Sequence, residues 1–129
     1  MARVSEGSSP WPSHNEVRLV GRTSVPARRR ELPSGDVVVE TRVVVKREPD
    51  PQRPRGARFD AIDCVVWSES TQDLVTTWNV GDIVELSGAL HRRFHRTETG
   101  VASRYQVEIR EARLFRARAR GELGQTGCG

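Results

Sequence analysis

The chemistry in this sequence lies in rings set among cations. Trp67 and Phe59 bound the stretch FDAIDCVVW, and Phe94 and His95 sit in the basic run HRRFHR. Arg22, Arg42, Lys46, Arg93 and Arg96 stand on neighbouring stretches, and a Pro-rich segment adds Arg53, Arg55 and Arg58. A flat ring offers a stacking face to any base, and a guanidinium forks onto phosphate oxygens, so the combination suits an unpaired polynucleotide. Taken singly, an exposed ring on a sheet is more commonly core rim or subunit contact. The grouping with cations is what favours binding.

Other chemistries fail on spacing. His91 and His95 are four apart, but on a strand that is roughly 13 Å, too far for one metal ion. No glycine-rich loop follows a strand and opens a helix, so a nucleotide-triphosphate cradle is missing. The acids are scattered among bases, and no pair stands out as a catalytic dyad. Cys64 has core parity and reads as an inert thiol. With Cys128 it makes two cysteines, too few for a disulfide framework or a zinc site. No catalytic residue, metal or cofactor is expected.

The elements that must carry the rings read mostly as strands. Glu16–Thr23 alternates, Val37–Arg47 is a long β-branched run, and Arg58–Ser68 follows a connection broken by Pro49, Pro51 and Pro54. Asp82–Arg96 turns at Thr97-Glu98-Thr99-Gly100 into Val101–Phe115. Between the first two strands, Pro33-Ser34-Gly35 marks a loop. One short helix is expected after Ser70-Thr71-Gln72-Asp73, which resembles a capping box. Leu74 and Trp78 would share its buried face, and Asn79-Val80-Gly81 would stop it. The order β-β-β-α-β-β is that of an all-β OB-fold, a five-stranded barrel with one helix between strands three and four.

Period-two alternation assigns the faces. Val39, Val43 and Val45, then Ile62, Cys64 and Val66, then Val84, Leu86, Gly88 and Leu90 point inward. Phe59, Ala61, Asp63, Val65 and Trp67 share the opposite face, with Arg42, Lys46, Arg93 and His95 on the outside of neighbouring strands.

A chain of 129 residues has room for one domain, here residues 15–115, between a Ser/Pro-rich leader at 1–14 read as disordered and a flexible tail at 116–129. No apolar run reaches membrane-spanning length and no secretory signal is expected, so the reading is cytoplasmic and nucleoid-associated. The net charge is +4, and 20 of the 21 basic residues are arginine, a bias that codon composition shares in producing. Such a balance permits polyanion binding without specifying it.

Five segments in order then resemble the bacterial single-stranded DNA-binding protein (SSB) family: NEVRLVGR at 15–22, LPSGDVVVETRVVV at 32–45, FDAIDCVVW at 59–67, VGDIVELSGAL at 80–90 and SRYQVEIREARLF at 103–115. The resemblance implies an OB-fold, assembly as a homotetramer, and binding of single-stranded DNA without sequence preference in replication, recombination or repair. It also implies four ring positions per subunit. Trp67 fills one, Ala61 stands at another, Pro49 near a third, and His95 at the fourth with Phe94 beside it. The family's acidic C-terminal tip, which recruits repair proteins, has no counterpart in the closing Gly-Gln-Thr-Gly-Cys-Gly, so such recruitment is not expected. This is the pattern of a short, aromatic-poor paralogue. Two readings stay open: a protein that coats single-stranded DNA, and an OB-fold interaction module or adaptor that has lost most of its DNA affinity. Nothing in the sequence reads a 2′-hydroxyl, which leaves RNA undistinguished from DNA.

Overall fold

A computed structural model describes residues 10–56 and 58–118. Six strands and one helix follow in order: β1 (Val17–Thr23), β2 (Arg28–Glu31), β3 (Val37–Lys46), β4 (Phe59–Val66), α1 (Glu69–Val75), β5 (Ile83–Thr97) and β6 (Gly100–Arg116). Neighbouring strands run β1-β5-β6-β4-β3, and β3 returns to β1 through Arg22–Val44 and Thr23–Val43, which closes a five-stranded barrel. All pairs are antiparallel except β4 with β6. The closure depends on Gly21, because a Cβ there would collide with the Val44 carbonyl oxygen and the Val43 side chain.

Val39, Val43, Cys64, Val66, Val84, Leu86, Val107 and Ile109 fill the barrel, and Val75 and Trp78 plug one end. Branched residues at every second position make this possible, since each strand then turns one apolar face inward.

Three local expectations are corrected. Arg28–Glu31, expected as loop, forms β2, paired to β3 alone, with Arg30 opposite Val38 and Arg28 opposite Glu40. Four consecutive charged residues carry no strand signal of their own, and the edge of β3 recruits them. The helix begins two residues before the expected cap: Ser68 is the N-cap, without a side-chain cap bond, and its hydroxyl meets that of Ser70. Consequently Val75 and Gln72 face inward while Leu74 is exposed, and Trp78 reaches the core from beyond the helix end. Leu90, expected inside, is 43% exposed. It pairs with buried Val107 and is the first residue of β5 from which every position to Thr97 is exposed.

Bonds tie the chain down on either side of the barrel. The Asn15 side chain donates to the Leu90 carbonyl and accepts from the Leu90 amide, both at 2.8 Å. Beyond β6, the Arg118 amide donates to buried Asp82 at 2.8 Å, and the same carboxylate caps the Asn79 amide at 2.9 Å. Residues 1–9 of the expected leader and 119–129 of the expected tail lie outside the described residues. No helix among the described residues is long and apolar enough to cross a membrane.

Candidate nucleic-acid interface

Phe59 and Trp67 mark the two ends of one strip. They share a face of β4 and its continuation, about eight residues or roughly 26 Å apart, and both are exposed, Trp67 by 45%. Between them on that face lie Ala61 and Asp63, whereas Val65, expected on the same solvated face, is buried at 1% exposed. Across the β3–β4 ladder Lys46 stands opposite Phe59, Arg42 opposite Asp63 and Glu40 opposite Val65.

Trp67 is held by a residue that sequence reasoning places in a cap. Gln72 is 3% exposed, and its amide nitrogen donates to the carbonyls of Val37 (2.9 Å), Val66 (3.0 Å) and Trp67 (3.3 Å). Its oxygen accepts from Arg29 at 3.3 Å. One buried amide thus fixes the backbone where β4 gives way to the helix.

A cleft of about 610 Å³ lies against this strip, lined in part by Arg28, Glu40, Arg42, Asp63, Arg93, His95, Arg104 and Gln106. The hairpin brings Arg93 opposite Arg104 and His91 opposite Gln106. Asp63 accepts from Arg42 at 2.9 Å and from Arg104 at 3.3 Å. Glu40 accepts from Arg30 at 2.8 Å.

Alternation splits the basic run HRRFHR between two faces. Arg93 and His95 reach the cleft, whereas Phe94 and Arg96 alternate with them and do not line it. Phe94 instead joins Arg92, whose guanidinium carbon lies 4.9 Å from its ring centre and 5.8 Å from that of Tyr105. Arg22 sits at the β1–β3 seam opposite Val44. Arg53, Arg55 and Arg58 are exposed in the connection from β3 to β4, whose base is closed by the Arg47 amide on the Arg58 carbonyl at 2.7 Å. Beside it, a hydrogen bond from Arg47 holds the Asp60 carboxyl below its ordinary range.

Sequence reasoning does not single out Arg28, Arg30, Arg92, Arg104 or Tyr105. The hairpin register could have supplied three of them, because the turn Thr97–Gly100 fixes Arg93 against Arg104 and Arg92 against Tyr105. The β2 arginines had no such signal. Cys64 is buried, as its core parity implies, and that burial pushes its thiol up to about 12.

The family model described as the single-strand binding protein family matches residues 14–115. The chain belongs to that family. Among curated relatives it is 30% identical over 112 residues to single-stranded DNA-binding protein 1 of Streptococcus agalactiae, covering 85% of this chain and 68% of that one. It is 29% identical over 116 residues to single-stranded DNA-binding protein 2 of Streptococcus pyogenes, covering 88% and 69%. Two solved structures share the fold. The Plasmodium falciparum SSB in complex with single-stranded DNA has a TM-score of 0.65 at 22% identity, over 82% of this chain and 96% of that one. The mitochondrial single-stranded DNA-binding protein of S. cerevisiae has a TM-score of 0.64 at 12% identity, over 82% and 99%. The OB-fold expected from the order of elements is the fold of this SSB-family chain.

Proposed function

We propose that this chain binds single-stranded DNA without sequence preference, along the outer face of β3, β4 and the β5–β6 hairpin, and that it does so as a binding protein and not as an enzyme. The observation that carries this is the strip with an exposed ring at each end and a cationic cleft between. Bases would stack on Trp67 and Phe59, while backbone phosphates would pass Arg42, Lys46 and Arg93, with His95 beside them. Arg22 at the seam, and Arg53, Arg55 and Arg58 in the connection above Phe59, would add contacts at the margins. Phe94 and Arg96 would serve a strand that wraps over the far side of the hairpin, together with Arg92 and Tyr105.

The names of the curated relatives and of the P. falciparum complex support this reading. We extend it to a cytoplasmic, nucleoid-associated protein of replication, recombination or repair, with the barrel at 15–115 as its binding domain. Assembly as a homotetramer belongs to the same proposal. The edge of β1 from Val17 to Gly21, unpaired among the described residues, suits pairing with another subunit.

One observation favours the adaptor reading: Ala61 and Pro49 stand where the resemblance implies rings. Titration with oligo-dT at low and moderate salt separates the two. A DNA-coating protein keeps measurable binding at moderate salt because stacking is uncharged, whereas an adaptor shows only weak, salt-labile association.

A further inference from the structure

Two carboxylates stand in the cleft where an entering strand would bring its phosphates. Asp63, on β4, bridges Arg42 of β3 and Arg104 of β6. Glu40, on β3, bonds Arg30 of β2 and lies 3.8 Å from Arg93 of β5. Their side chains are 30% and 32% exposed, so both meet solvent at the cleft surface. Elsewhere the candidate cations differ: among the described residues Arg22, Lys46, Arg53, Arg55, Arg58 and Arg96 make no side-chain ion pair.

We propose that Asp63 and Glu40 are built-in competitors for the polynucleotide, occupying the cleft guanidiniums in the free protein and giving them up as phosphates arrive. This rests on the DNA-binding reading above and deepens it. A carboxylate and a phosphate present similar pairs of oxygens to a guanidinium fork, so one can replace the other at Arg42, Arg93 and Arg104. Glu40 is not the positioning partner of Arg93, because 3.8 Å exceeds hydrogen-bond reach; at that distance it offsets charge without fixing geometry. The arginines also remain 42–59% exposed, which leaves their stems room to turn toward a strand. Binding in the cleft is then an exchange of anions. Each phosphate is held less tightly there than at an unpaired cation, and a larger share of the affinity falls to the rings.

The test is a titration of the full chain with labelled oligo-dT at several salt concentrations, using wild type, Asp63→Asn, Glu40→Gln and Glu85→Gln. The amides keep shape and remove charge. Glu85, bonded to Arg18 and Arg113 on the β1–β5–β6 face away from the cleft, controls for the same change in net charge. Asp63→Asn and Glu40→Gln should each bind about two- to fivefold tighter at low salt. Their log–log salt slopes should steepen by about 0.7 for each further phosphate neutralised. Glu85→Gln should change neither. The two cleft variants are independent, so a folding defect in one leaves the other decisive, with circular dichroism reporting the fold of each. Weaker binding by the amides would mean the carboxylates position the arginines, and would overturn the proposal. Unchanged binding, or an equal increase in Glu85→Gln, overturns it as well while leaving the DNA-binding reading intact. A wild type that fails to bind at any salt overturns both.

Discussion

The backbone at Trp67 is held by a residue that no ring-and-cation pattern points to. Gln72 spends its amide donors on three carbonyls, and in the Gln72→Ala variant those acceptors lose their partner in a buried place. The expected cost is about 1–3 kcal/mol of stability in chemical denaturation, with a shift in Trp67 emission in the folded state. A variant as stable as wild type would show that water replaces the amide. Glu85 gives a second residue-scale expectation. The hydrogen bond from Arg18, and then that from Arg113, holds its carboxyl below the ordinary range against the opposing effect of burial. A depressed carboxyl contributes its stability in full above the unfolded-state value, about 4.3, and loses it as pH falls through the lower folded-state value. Melting temperature should therefore fall between pH 5 and acid more steeply in wild type than in Glu85→Gln. Equal slopes would show that the pair contributes nothing.

Strand closure and strand alternation decide what the elements can offer. Gly21→Ala puts a methyl group against the Val44 backbone at the β1–β3 seam, where the neighbour is main chain and cannot swing away. The expected loss is about 1–3 kcal/mol, read as an earlier thermal transition, and a variant with wild-type stability would mean the seam relaxes freely. The same strands show what was legible. Val39, Val43, Ile62, Cys64 and Val66 alternate so regularly that their inward parity could be read from the sequence. Leu90 follows the same parity and still meets solvent, because alternation says which face a side chain takes and not whether anything covers that face. Phe94 and His95 illustrate the converse: adjacent in sequence, they cannot line the same side of one strand. The β2 strand was illegible, since Arg28–Glu31 pairs for want of another partner for the β3 edge and not through its own propensity.

Across the whole molecule, the fold was more legible than the site. Core parity and element order are repeated many times along the chain, so one error, such as the two-residue shift in the helix start, leaves the barrel intact. The cleft is assembled once, from side chains contributed by β2, β3, β4, β5 and β6, and its ion pairs depend on register across all of them. Sequence supplied the rings and half of the cations; it could not show that Asp63 and Glu40 would sit among the arginines. That arrangement makes the balance of stacking and charge the central property of the face. The most direct measurement is Trp67 fluorescence during titration with oligo-dT at low and moderate salt, in wild type and Trp67→Ala, with binding of the variant followed by anisotropy of labelled DNA. The expected result is quenching in wild type and a loss of about 1–3 kcal/mol in Trp67→Ala that persists at moderate salt. Equal affinity of the two proteins would contradict a stacking role for this face.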